Sequence, residues 1–162
     1  MNITFGGNPV NLALYPLKVG DRIDDFTAVK NDLSEFKLSD IEGRKLILAV
    51  PSLDTSVCDA EVRRFNEEAT KLGDVTVIAI SMDLPFAQAR WCGAAGVDKV
   101  MTVSDYKDHS FANASGTYIR EVGLLARSVF LLDENNVVKY VEYVKEVTDH
   151  PDYNAALDAV KA

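Results

Sequence analysis

The sequence predicts an α/β protein of three layers, with helices on both faces of a central mixed β-sheet. Three observations carry that reading. Lys45–Val50 and Val75–Ile80 are near-continuous apolar runs, as strands buried on both faces require. Between them, Val62, Phe65, Ala69 and Leu72 recur at helical spacing. Late in the chain, Leu125–Leu132 and Val137–Val144 flank Asp133-Glu134-Asn135-Asn136, a hairpin signal.

In chain order, Asn2–Phe5 and Val10–Leu14 around Gly6-Gly7-Asn8 predict a small N-terminal β-hairpin. Phe26–Val29 and Glu35–Leu38 predict a second short extended pair around Asn31-Asp32. The strand at 45–50, a helix from Cys58 to Leu72 ending at Gly73, and the strand at 75–80 make a βαβ unit with a right-handed crossover. A second helix is predicted from Pro85, with Asp83 just before it and Gly96 just after. Val100–Val103 predicts a short strand and Ser110–Ser115 a short helix, and a last helix runs over Tyr153–Val160 behind Pro151. This order of elements matches a thioredoxin-like arrangement, with residues 1–15 as an added hairpin.

At 162 residues the chain is long enough for one well-covered core and too short for two typical domains. No linker, repeat or low-complexity tract divides it. The net charge of −8, with no clustered Lys/Arg stripe, argues against a nucleic-acid partner. No apolar run approaches the ~20 residues that cross a bilayer, and Met1–Pro9 lacks the features of a signal peptide. The expectation is a cytoplasmic protein with reduced thiols and no membrane partner. Neither His109 nor His150 stands at metal-ligand spacing to Cys58 or Cys92, so no metal is expected.

Chemistry concentrates on the two cysteines. Pro51–Cys58 follows the 45–50 strand directly, at a strand's carboxyl end, where open α/β sheets place ligand sites. With Thr55 near the N-cap, Cys58 falls in the first helical turn, where unpaired N–H groups and the helix dipole favour the thiolate. Equally, Cys58 continues the stripe of Val62 and Phe65 backwards and reads as a small core residue. Asp59 and Glu61 argue against an activated thiolate, since nearby negative charge opposes ionisation. A positive group must come from elsewhere, and Arg127 is the candidate. Strand alternation sets it on one face with Val129 and Leu131, where it needs an anionic partner or a route to water. Cys92 beside Trp91 is, on spacing alone, another small buried residue.

Pro51-x-x-x-Thr55-x-x-Cys58 resembles the active-site motif of the peroxiredoxins. More narrowly, Pro-Ser-Leu-Asp-Thr-Ser-Val-Cys58 followed by Ser81-Met-Asp-Leu-Pro-Phe-Ala-Gln-Ala-Arg-Trp-Cys92-Gly is similar to the bacterial thiol peroxidases, the atypical two-cysteine subgroup. The likeness extends to Gly7-Asn-Pro-Val10, Leu125-Ala-Arg127, Val129–Glu134 and Pro151-Asp-Tyr153. The resemblance implies that Cys58 is the peroxidatic cysteine and Cys92 the resolving one, closing a Cys58–Cys92 disulfide within one chain. By the same resemblance Thr55 hydrogen-bonds the thiolate and peroxide, Pro51 shields the pocket from water, and Arg127 stabilises the thiolate and the polarised O–O bond. It further implies a hydroperoxide substrate, thioredoxin as reductant, a homodimer and no cofactor. The Gly116–Gly123 stretch looks short beside members with a longer glycine-containing loop.

A competing class is a redox-sensing or chaperone-like interaction protein that uses the same disulfide as a switch. A thiol–disulfide reductase is disfavoured, because the cysteines stand 34 positions apart rather than in C-x-x-C.

Overall fold

The computed structural model describes residues 1–162. Strands β1 (Ile3–Phe5) and β2 (Asn8–Val10) form the N-terminal hairpin, pairing Ile3 with Val10. Its loop is only Gly6-Gly7, both at positive φ (59° and 83°), as the twist of a two-residue hairpin demands. Asn8, expected in the turn, therefore belongs to the second strand, which stops at Val10 rather than Leu14.

Next come β3 (Thr27–Lys30), β4 (Glu35–Lys37), β5 (Arg44–Ala49), α1 (Ser56–Ala69) and β6 (Val75–Ser81). They are followed by α2 (Pro85–Ala95), β7 (Met101–Ser104) and α3 (Ser110–Ser115). The chain ends with β8 (Tyr118–Ile119), β9 (Leu124–Leu125), β10 (Ser128–Leu132), β11 (Val138–Tyr143) and α4 (Tyr153–Lys161). Seven strands make one sheet in the order β11-β10-β5-β6-β7-β3-β4. The β5-β6 and β6-β7 pairs are parallel and the others antiparallel, so the mixed sheet expected from the sequence is present.

Alternation along the central strands divides the core in two. Ile47, Ala49, Ile78, Ile80 and Phe130 face Phe111 and Ala112 of α3 together with Ile3, Ile23 and Phe26. On the other face Leu46, Leu48, Val77, Ala79, Val129 and Leu131 meet Cys58, Val62 and Phe65 of α1 and Ala156, Leu157 and Val160 of α4. Trp91 and Ala95 of α2 pack on this second cluster. Two successive right-handed crossovers explain why α1 and α2 share a face and lie side by side.

The single strand expected at 125–132 is broken. Leu124–Leu125 pairs with Tyr118–Ile119, and the ladder to β5 begins only at Ser128. Arg127 occupies the gap, its carbonyl accepting from Val144 N–H at 3.0 Å. No helix is long and apolar enough to cross a membrane.

Candidate active site

Thr55 is the N-cap of α1, in extended conformation (φ −92°, ψ 148°). Its hydroxyl oxygen accepts from Cys58 N–H at 3.4 Å and its hydrogen goes to the Ser52 carbonyl at 3.1 Å. The first intrahelical bond, Asp59 N–H to Thr55 C=O, follows at 2.9 Å. Cys58 is thus the third residue of the helix and sits in the first turn, on the side that faces the sheet. It is fully buried and its thiol is free. Pro51, also buried, lies in the loop joining β5 to α1.

Arg127 is 1% exposed, which removes the route to water as an explanation for it. Its guanidinium divides three ways. Nη2 donates to Cys58 Sγ at 3.1 Å, Nη1 to Glu61 Oε1 at 2.7 Å, and Nε to the Val147 carbonyl at 2.8 Å. A planar fork with fixed donor directions can satisfy sulfur, carboxylate and carbonyl together, which an ammonium cannot. Sheet alternation carries Arg127 to this point. It shares its face with Val129 and Leu131, and that face is the one covered by α1.

Glu61 corrects the sequence reading. It was expected to oppose ionisation of Cys58, yet it is fully buried and salt-bridged to the arginine that contacts the sulfur. Burial pushes its carboxyl up to about 7, against the downward pull of Arg127. Burial also weakens the charged form of Arg127, but the attraction of Glu61 and then of Cys58 outweighs it and holds the guanidinium above its ordinary value. A signal was available. Glu61 lies three residues after Cys58 and beside Val62 on the stripe that Phe65 continues, so a carboxylate on a buried helix face demanded a cation.

A second polar cluster was also missed. Asp83 does not cap α2. The N-cap is Leu84, without a side-chain bond, and Pro85 supplies the preset first helical φ. The Asp83 carboxylate instead accepts from Ser52 Oγ (2.7 Å), Leu53 N–H (2.8 Å) and Ser81 Oγ (2.7 Å). It thereby ties the loop before Cys58 to the start of the helix that carries Cys92. Gln88 completes the tie from within α2, its amide donating to Ser81 Oγ at 3.0 Å and to the Val103 carbonyl at 2.9 Å.

Cys92 is half-buried and free. Its sulfur lies 3.3 Å from Thr102 Oγ1 on β7, and Thr102 donates onward to Asn31 Oδ1 at 3.0 Å, leaving the thiol as donor in the first contact. So the structure brings Cys58, Thr55 and Arg127 together, adds Glu61, places Pro51 on the adjoining loop, and keeps Cys92 on its own partners at β7.

A buried cysteine in the first turn of a capped helix, bonded to an equally buried arginine that immediately precedes β10, sits within a chain whose residues 18–157 match the Redoxin family model. The chain belongs to the Redoxin family. Its similarity to this family spans nearly the full length. A thiol peroxidase of Bacillus subtilis is 60% identical over 161 residues, covering 99% of this chain and 96% of the relative. A thiol peroxidase of Clostridium acetobutylicum is 48% identical over 162 residues, 100% of this chain and 99% of the relative. Among solved structures, a peroxiredoxin-like protein from Aquifex aeolicus superposes with a TM-score of 0.91 at 38% identity, over 99% of this chain and 95% of that one. These Redoxin neighbours agree with the thioredoxin-like reading of the element order.

Proposed function

We propose that this chain is a peroxiredoxin-type antioxidant peroxidase that reduces hydrogen peroxide and organic hydroperoxides. Cys58 acts as the nucleophile and Cys92 as the resolving thiol. The observation that carries the reading is the 3.1 Å bond from Arg127 Nη2 to Cys58 Sγ inside the first turn of α1. Its placement follows from the pairing of β10 with β5, whose carboxyl end leads into that helix. The relatives named above as thiol peroxidases support the same reading.

The thiolate is the form of cysteine that attacks. It approaches the terminal oxygen of ROOH in line. An S–O bond forms as the O–O bond breaks, giving a Cys58 sulfenic acid, and the departing RO⁻ takes a proton to leave as alcohol or water. Arg127 is a preorganised cation beside both the sulfur and the breaking bond, and in a buried site such a donor acts with little screening. Thr55 holds the first turn in shape, its hydroxyl oxygen accepting from Cys58 N–H and its hydrogen going to the Ser52 carbonyl. Pro51, buried at the rim, keeps bulk water out. Cys92 then closes a Cys58–Cys92 disulfide, and thioredoxin returns two electrons by thiol exchange.

Residues 1–162 work as one thioredoxin-like unit, with 1–15 as a hairpin extension that shares its core. Ile3 packs in the same cluster as Phe26 and Phe130, and Thr4 N–H donates to the Lys145 carbonyl at 2.8 Å. The chain acts in the cytoplasm as a homodimer, a state supported by the exposed apolar Leu84 and Phe86 at the start of α2.

The test is peroxide-dependent loss of NADPH with thioredoxin and its reductase. Cys58→Ser abolishes turnover. Cys92→Ser retains one rapid turnover and loses cycling. Slow reaction of the unaltered protein with peroxide, with a large change in partner binding on oxidation, would point to a redox sensor instead.

A further inference from the structure

The residues next to the two cysteines touch each other. Asp59 follows Cys58 and Trp91 precedes Cys92, and Trp91 Nε1 donates to Asp59 Oδ1 at 2.7 Å. The second oxygen of Asp59 accepts from Arg63 Nε at 2.9 Å. The Arg63 guanidinium lies 5.8 Å from the centre of the Trp91 ring and reaches the Ala95 carbonyl, in the last turn of α2, at 3.4 Å. Three side chains therefore fasten the carboxyl-terminal half of α2 to the first two turns of α1.

The sulfurs themselves are anchored far apart. Cys58 is bonded to Arg127, which leads into β10, and Cys92 contacts Thr102 on β7. In the sheet these strands are separated by β5 and β6. Three strand spacings amount to roughly 14 Å, whereas a disulfide brings Cβ atoms within about 4 Å. A helix end has to leave its seat. The amino-terminal end of α2 is held by Asp83 and Gln88, as described above. The other end carries Gly93 and stops at Gly96 in left-handed conformation (φ 69°), so it is the end with least of its own to keep it folded.

We infer that Asp59, Trp91 and Arg63 form a latch that keeps α2 folded over reduced Cys58, and that its release limits how fast Cys92 reaches the Cys58 sulfenic acid. The inference rests on the roles proposed above for the two cysteines. In the closing step the Cys92 thiolate attacks the Cys58 sulfur. The S–S bond forms, the S–O bond breaks, and hydroxide leaves with the proton given up by Cys92 as water, so no further oxidant is consumed. While the latch is closed, the sulfenic acid stays open to a second peroxide that would carry it irreversibly to sulfinic acid. The three residues are positioning residues that set the balance between closure and inactivation.

The experiment uses the full chain and quenched-flow mixing with hydrogen peroxide, reading Cys58 oxidation and disulfide formation separately by alkylation and mass spectrometry. Trp91→Phe keeps the ring and deletes the N–H. It is expected to leave the peroxide step within about twofold, to speed closure about tenfold (about 1.4 kcal/mol), and to raise the peroxide concentration that half-inactivates by a similar factor. A general loss of stability would not separate the two steps in this way. Asp59→Ala, which removes the acceptor shared by Trp91 and Arg63, accelerates closure at least as much and serves should the Phe variant fail to fold. The double variant closes no faster than Asp59→Ala alone, because that substitution already deletes the Trp91 contact. Unchanged or slower closure in these variants overturns the latch. An unaltered protein that consumes peroxide without ever forming the Cys58–Cys92 bond overturns the resolving role itself, and the latch with it.

Discussion

Replacing Arg127 by lysine isolates geometry from charge at the centre of the site. The guanidinium makes three bonds at once, to Cys58 Sγ, Glu61 Oε1 and the Val147 carbonyl, at 3.1, 2.7 and 2.8 Å. One ammonium nitrogen on a shorter stem cannot reach all three, and the buried carboxylate is the partner it will keep. Loss of one preorganised donor at a developing anion costs roughly 10²–10³ in rate. The bond to sulfur is the one at stake, so the second-order rate of Cys58 oxidation should fall by about that factor. The Val147 carbonyl, left without its buried donor, destabilises the fold by about 1–3 kcal/mol. At roughly 2–4 °C per kcal/mol for a chain of this size, Tm drops by about 5 °C. Stopped-flow peroxide kinetics and thermal unfolding measure the two effects on one preparation. A lysine variant that keeps the rate within threefold would show that charge alone suffices and that the fork has no part in the chemistry.

Three other expectations follow from the same geometry. Burial raises Glu61 from 4.5 to about 7. The folded state therefore holds a proton between those values that the unfolded chain has already lost, and stability falls as pH rises through this window, by roughly 3–4 kcal/mol at most at 1.36 kcal/mol per unit. Urea melts at pH 5 and 8 should show this loss in the unaltered protein and not in Glu61→Gln; equal slopes in the two would refute the assignment. Thr55→Ala removes the cap of α1 and should cost about 1 kcal/mol, with Thr55→Ser restoring most of it in the same melts. A Cβ at Gly116 (φ 68°) would run into the backbone carbonyl of Tyr15, whereas one at Gly73 (φ 77°) meets nothing. Gly116→Ala should therefore lower Tm clearly more than Gly73→Ala, whose penalty is only the ~1 kcal/mol of a left-handed residue, and equal losses would contradict the close approach.

Periodicity and turn chemistry were enough to place most elements, because they report which residues of a segment must share a buried face. The apolar runs at 45–50 and 75–80 became adjacent parallel strands. The stripe through Val62 and Phe65 became the buried side of α1, and Cys58 lay on it as its spacing required. The motif around Pro51, Thr55 and Cys58 also located the first helical turn, since an N-cap is a local event settled by a hydroxyl and the N–H three residues on. The break at Arg127 was not legible. Its neighbours read as one continuous strand, and only the pairing of Leu124–Leu125 with Tyr118–Ile119 interrupts it.

Sequence by itself determined the fold class and singled out the two cysteines and the candidate cation, all features carried by side-chain type and local spacing. Tertiary structure alone decided how their charges balance. Glu61 changes from an opponent of the thiolate to the partner of Arg127 because a sheet and a helix bring residues 66 positions apart to within 2.7 Å in a site where both side chains are buried. Likewise Asp59 and Trp91 meet only because two successive crossovers lay α1 and α2 on the same face of the sheet. Electrostatic sign and interhelical contact depend on distances across the fold, and no pattern within a single segment encodes them.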